Sequence, residues 1–199
     1  MLTRQARTLT RTQIEAVRSY LRGRRNGLRN ETIFLLSFRS GLRAMEIANL
    51  RWSWVVDADG EVGDYLRILD TGAKGSRGGR EIPIHRDLRS CLESLLKKRR
   101  ASPSFDIETE FVVRTERSPR TSPQVIANFF QRLYRDLGLV GCSSHSGRRT
   151  FITECARQIS RAGGSLRDIQ YLAGHSSLQT TQRYIESSSE AKSRVIGLI

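Results

Sequence analysis

The chain has 199 residues, 38% of them hydrophobic and 27% charged, enough for one ordinary domain with a substantial core and too apolar for a disordered chain. Its 34 Lys and Arg outnumber 20 Asp and Glu for a formal charge of +14, so a polyanion is expected as partner, nucleic acid first, with DNA and RNA undistinguished. Nothing resembles a signal peptide or a membrane span, and Cys91, Cys142 and Cys155 offer neither a C-x-x-C pair nor a disulfide framework, so a reducing cytoplasm is the expected setting.

Thr12 and Glu15 stand at capping-box spacing, with Ile14, Val17 and Leu21 at helical intervals, so a first helix is expected to run to about Arg24. Beyond Asn26-Gly27, Asn30 is the expected cap of a second helix through Ile33 to Phe38. Ser40-Gly41 then turns the chain into a third, beginning near Arg43, with Ala44, Ile47 and Leu50 as its apolar stripe. From Trp52 the period changes, and residues 54–56, 65–69 and 81–84 read as short strands of a small sheet. The connection 70–80 holds four glycines with Lys74, Arg77 and Arg80, the composition of a basic hairpin loop. Further helices are expected at 86–100, 122–137, 146–159, 166–172 and 180–185. The polar stretch 101–110 reads as a surface loop, because a boundary there leaves neither half a convincing core. One domain, 1–199, is therefore expected, with a core over about 9–186 and a tail at 187–199.

Several side chains in this frame suit phosphodiester chemistry. His145 and Arg148 are three apart at the start of a helix, on one face beside the exposed N–H groups of its first turn, where a phosphate can be held. Alone, such a pair is more often a surface ion-pairing face. Arg43, also at a helix start, offers a second guanidinium for the other non-bridging oxygen; the alternative is a surface pair with Glu46 at i, i+3, and Glu46 could equally buttress catalytic side chains.

Only four of the 34 basic residues are lysine, at 74, 97, 98 and 192. An ammonium can be tuned to deliver a proton to a leaving 5′ oxygen and a guanidinium cannot, so Lys74 is the candidate general acid, against the plainer reading of a solvated turn residue. Gly72-Ala73-Lys74-Gly75-Ser76 lacks the spacing of a nucleotide-binding P-loop. Tyr184, nine residues after His175, is the candidate nucleophile, although a tyrosine in a C-terminal helix is otherwise a packing residue. Of the three histidines, His145 and His175 fall inside this pattern, and His85 reads as a strand-end residue.

Four segments in this order resemble the catalytic domain of the tyrosine recombinase, or phage integrase, family. Ser40-Gly41-Leu42-Arg43-Ala44-Met45-Glu46 is similar to its first box, and Ala73-Lys74-Gly75-Ser76-Arg77 with Glu81-Ile82-Pro83-Ile84 to its lysine hairpin. His145-Ser146-Gly147-Arg148 is similar to the second box, and Gly174-His175 followed by Tyr184 to the third. The resemblance implies a mainly α fold with a small antiparallel β-sheet (α+β) and a basic surface around duplex DNA. It implies site-specific recombination: Tyr184 attacks the scissile phosphate to form a 3′-phosphotyrosyl bond, Arg43 and Arg148 stabilise the phosphorane, and Lys74 protonates the leaving oxygen. His145 assists proton transfer and His175 donates to a non-bridging oxygen, with neither metal nor cofactor.

The implied partners are double-stranded DNA and further copies of the chain assembled on it, with room for DNA-bending accessory proteins; the implied source is bacterial or phage-encoded. Two alternatives are a type IB topoisomerase, whose family resembles this one with lysine where His145 stands, and a noncatalytic DNA-binding regulator. Position 147 is Gly where the family usually has an apolar residue, and position 149 is Arg where His is frequent. Few residues precede the first helix, so the family's separate N-terminal DNA-clamping domain is expected to be missing, in a truncated or a naturally compact chain. The apolar tip Val195-Ile196-Gly197-Leu198-Ile199 is expected to pack on its own domain or on a neighbouring subunit.

Overall fold

In the computed structural model of the chain, residues 6–69, 79–116 and 118–184 are described. They form two compact units, Met1–Phe151 and Ile152–Ile199. The first holds α1 (Arg11–Arg22), α2 (Gly27–Ser40), α3 (Ala44–Asn49), a 3-10 turn (Trp52–Trp54), β1 (Tyr65–Ile68), β2 (Arg80–Pro83), α4 (Arg86–Arg100) and α5 (Pro123–Asp136). α6 (Ser146–Gln158) begins in the first unit and ends in the second, which continues with α7 (Leu166–Ala173) and α8 (Leu178–Gln182). The fold is mainly α with one two-stranded antiparallel sheet, as expected. No described helix is long and apolar enough to cross a membrane.

α2 is the central helix of the first unit. Thr32 through Phe38 are all buried, and α1, α3 and α4 pack around it. It starts at Gly27, ahead of the expected cap Asn30, because Asn26 adopts the left-handed conformation (φ 59) and turns the chain into the helix itself. α1 also starts early. Its cap is Thr10 rather than Thr12: Thr10 Oγ1 accepts the Gln13 N–H at 3.3 Å and Gln13 Oε1 accepts the Thr10 N–H at 2.9 Å. This register puts buried Leu9 and Ile14 at the hydrophobic-staple positions on either side of the cap, which the Thr12 register does not.

A buried charge network ties α1, α2 and α4. Glu31 is paired with Arg18 at 2.9 Å and Arg22 at 2.7 Å, and Asp87 joins Arg18 at 3.4 Å to Arg39 at 2.9 Å. Burial opposes ionisation of Glu31, but the Arg22 and Arg18 guanidiniums outweigh it and hold its carboxyl below the ordinary range. Ionised Glu31 therefore contributes its full stability above the unfolded value of about 4.3, and loses it as pH falls through the lower folded value. Glu31→Gln is expected to destabilise the fold by about 1–3 kcal/mol at neutral pH, because Arg18 keeps Asp87 and Arg22 is 57% exposed. Its deficit against the parent should shrink on acidification below about pH 4. Thermal melts across pH check this; a deficit that stays constant with pH would contradict it.

The expected strand at 54–56 is instead a 3-10 turn. The N–H groups of Val55 and Val56 both donate back to Trp52 O, at 2.8 and 3.0 Å, curling the backbone around the fully buried Trp52, and only Val56 keeps a bridge, to Val62. β1 and β2 pair from Tyr65↔Pro83 to Ile68↔Arg80, burying Leu66, Ile68 and Ile82 on one face. α4 has the expected bounds and buries Leu88, Leu92, Leu95 and Leu96. His85 is its cap rather than only a strand end, with Nδ1 accepting the Asp87 N–H at 3.1 Å.

Candidate active site

The turn Ser40-Gly41-Leu42-Arg43 ends α2 and starts α3. Gly41 has φ +64, and a Cβ there would lie 2.5 Å from Phe151 Cδ1, so both conformation and space require glycine. The turn sends Leu42 into the core and leaves Arg43 at the surface as the cap of α3. The Gly41 carbonyl accepts a hydrogen bond from Arg148 Nη1, which joins the turn carrying Arg43 to the first turns of α6.

The first turn of α6 meets α2 at Ser37. A Cβ at Gly147 would come 2.5 Å from Ser37 Oγ and 3.1 Å from Ser37 Cβ, so a larger side chain here would force Ser37 to shift. That close approach seats Arg148, which is 5% exposed, while His145 at the helix start is exposed. Serines hold the helix entrance: Ser143 Oγ accepts the His145 N–H at 3.3 Å and Ser146 Oγ accepts the Ser143 N–H at 3.0 Å. Thr150 Oγ1 donates to Ser146 O at 2.7 Å and accepts the Leu9 N–H at 2.8 Å, so the N-terminal segment is fastened to α6.

Glu46 pairs with Arg43 at i, i+3 and also reaches Arg80. Its Oε2 accepts the Arg43 backbone N–H at 2.7 Å, its Oε1 pairs with Arg43 Nη1 at 3.2 Å, and the same Oε1 is 2.9 Å from Arg80 Nη2. Within the first unit the structure thus brings together Arg43, Glu46 and, through the Gly41 carbonyl, Arg148.

The second unit builds its pair around a tight turn. Gly174 is left-handed (φ 59) and ends α7, and its neighbour His175 donates its N–H to Gln170 O at 3.1 Å while accepting from Gln170 Nε2, also at 3.1 Å, on its own carbonyl. The His175 ring is buried, and Nδ1 shares a hydrogen bond with the fully buried Thr181 hydroxyl at 2.9 Å. Ser177 caps the short α8, whose last turn brings Tyr184 back so that its ring stacks on His175, 5.5 Å between centroids and 25° between planes. α8 ends sooner than the expected helix because Leu178–Gln182 spends its length on this reversal. His175 and Tyr184 are thus brought together, in a setting in which the imidazole is fixed by Thr181 and the phenol lies against its face.

Lys74 and the tail 187–199 lie outside the described residues. Three partners had not been picked out from the sequence. Arg80 reads as one more basic loop residue, and only its place at the start of β2 distinguishes it. Thr181 carries no signal beyond being one of two adjacent threonines. Phe111, with the Arg51 and Arg120 guanidiniums over its ring at 4.8 and 5.5 Å, comes from segments too distant in sequence to be associated. Among the described residues, no three His, Cys, Asp or Glu side chains are grouped as a metal site would need.

The sequence profile of the phage integrase family matches residues 7–191. The chain belongs to the phage integrase family. It is 30% identical over 189 residues to the tyrosine recombinase XerA of Thermococcus onnurineus, covering 92% of this chain and 59% of that protein. It is 31% identical over 173 residues to the tyrosine recombinase XerC of Myxococcus xanthus, covering 85% and 54%. The chain thus spans little more than half the length of these relatives. Among solved structures, the Tn1549 transposon integrase in complex with circular intermediate DNA has the same fold, with a TM-score of 0.76 at 20% identity over 96% of this chain and 67% of that one. The expected membership of the tyrosine recombinase, or phage integrase, family is thereby borne out.

Proposed function

We propose that this phage integrase family chain is the catalytic domain of a site-specific recombinase, cutting and rejoining DNA through a 3′-phosphotyrosyl intermediate. The observation that carries the reading is the Tyr184 phenol stacked on a buried His175 whose Nδ1 is held by Thr181. The stack holds the nucleophile beside the imidazole assigned to the same phosphate, and positioning of that kind lowers the barrier to a metal-free transesterification.

In this reading Tyr184 Oη bonds to the scissile phosphorus as the bond from phosphorus to the 5′ oxygen breaks. The phenolic proton is taken up with the help of His145, and Lys74 supplies a proton to the leaving 5′ oxygen. Arg43 and Arg148 neutralise the charge that grows on the non-bridging oxygens, and His175 donates a hydrogen bond there. Glu46 supports Arg43. One phosphodiester is exchanged for another, so the reverse attack by a 5′ hydroxyl reseals the strand without ATP. The partner is double-stranded DNA, supported by the +14 charge and by the DNA complex of the Tn1549 integrase. Each chain carries one Tyr184, so exchange between two duplexes calls for several copies assembled on DNA. The chemistry is assigned to the single domain 1–199 of a cytoplasmic, bacterial or phage-encoded protein. The type IB topoisomerase alternative is not favoured, because the family match is to integrases and His145 stands where that alternative wants lysine.

Covalent capture tests the proposal. The protein is mixed with a randomised pool of nicked duplexes without added metal and denatured in detergent, and protein-linked DNA is isolated. A 3′-linked adduct on the peptide containing Tyr184 is expected, and its DNA sequence reports the target site. Tight, salt-sensitive DNA binding with no adduct would overturn the cleavage reading in favour of a noncatalytic binder.

A further inference from the structure

We propose that Arg80 is a positioning residue for the cleavage reaction, holding Glu46 where it fixes both the backbone and the side chain of Arg43; the role in cleavage rests on the function proposed above. One carboxylate accepts two hydrogen bonds here, from Arg43 N–H at 2.7 Å and Arg43 Nη1 at 3.2 Å, and forms an ion pair with Arg80 Nη2 at 2.9 Å. The three side chains are not equivalent. Arg80 is 11% exposed and Glu46 16%, against 42% for Arg43, so Arg80 is the sheltered anchor and Arg43 the presented group.

A lone i, i+3 pair at a surface contributes only about 0.5 kcal/mol and leaves its members free to change rotamer. A second cation on the sheltered side removes that freedom from Glu46. Arg80 is itself rigidly placed, because it opens β2 and is paired with Ile68 in the sheet register. Directly before it, a Cβ at Gly79 would lie 2.3 Å from Ile68 O, so the chain enters the strand pressed against β1.

Charge supplies the second argument. Glu46 alone would neutralise Arg43 and compete with a phosphate for it. Arg80 draws on the same carboxylate, which weakens its hold on the Arg43 side chain while the Arg43 backbone stays bound. The sheet edge thereby sets the position of a side chain on α3.

Amide hydrogen exchange at Arg43, read by NMR in the whole chain, tests the linkage directly, because that N–H donates to Glu46. Arg80→Gln is expected to speed its exchange by roughly ten-fold, the equivalent of about 1.4 kcal/mol of protection. Glu46→Gln should act alike, and the double variant should go no further than either single one. Arg80→Lys, which keeps the charge, should recover part of the protection. The Ile47 N–H, which donates to Arg43 O at 2.9 Å, reports α3 itself and should not change. On the DNA recovered by covalent capture, Arg80→Gln should slow single-turnover cleavage by roughly 10- to 10²-fold with affinity little altered. Unchanged Arg43 exchange in Arg80→Gln overturns the proposal, as does full cleavage activity in a variant whose only defect is a lower melting temperature. Failure of the parent protein to form any adduct would sink the recombinase reading, while the exchange data still decide whether Arg80 holds Arg43.

Discussion

Tyr184→Phe is expected to lower covalent adduct formation by on the order of 10⁶-fold, below detection, as loss of a nucleophile does. The substitution removes one oxygen and keeps the ring, so the stack on His175 and the reversal through α8 should persist. DNA affinity should stay close to that of the parent, since the basic surface is untouched and binding is carried by many phosphate contacts. The check is the capture assay run side by side on the selected sequence, with binding measured separately. Residual adduct at a comparable rate in the Phe variant would move the nucleophile elsewhere and remove the central role given to Tyr184. Loss of both adduct and affinity would instead make the phenol part of the DNA-binding surface.

The fold was legible where one local signal decided it. α4 has the expected range 86–100, and α5 starts one residue past the expected 122, because Ser122 caps it and Pro123 takes the first helical position. It was less legible where two local signals competed. Thr10/Gln13 and Thr12/Glu15 both have capping-box spacing, and the burial of Leu9, a tertiary effect, chose the first. Trp54-Val55-Val56 has strand propensity, yet the burial of Trp52 folds those residues back on its carbonyl.

At the candidate site, the side chains proposed to carry chemistry were picked out by type and spacing, and the neighbours that hold them were not. The left-handed Gly174 beside His175 is the kind of turn that a Gly-His pair after a short helix suggests, whereas the hydroxyl that fixes the ring comes from Thr181, six residues on, through packing alone. Gly147 looked like a departure from the family pattern. Its reason lies in Ser37, over a hundred positions away, whose side chain occupies the space a Cβ would need. Likewise the Arg80 contact with Glu46 depends on how β2 pairs with β1, which no local motif encodes.

The two arginines should share a catalytic effect and differ in their effect on stability. Arg43→Ala and Arg148→Ala are each expected to lower the single-turnover cleavage rate by about 10² to 10³-fold, the cost of one charge-stabilising group in a transition state. Arg148 is buried and donates to the carbonyl of Gly41, so its removal also leaves a buried acceptor unpaired, a cost of about 1–3 kcal/mol. Arg43 is 42% exposed, and its removal leaves Glu46 with the Arg43 backbone N–H and Arg80, so the fold should hardly notice. Arg148→Lys keeps a charge but loses the planar fork that can serve a carbonyl and a phosphate together, so it should regain little activity. Thermal melts and single-turnover cleavage on the same four proteins decide the matter. If both arginines lowered affinity as much as cleavage, they would be phosphate anchors rather than transition-state groups, and a melting temperature unchanged in Arg148→Ala would deny the Gly41 bond its part in joining α2 to α6.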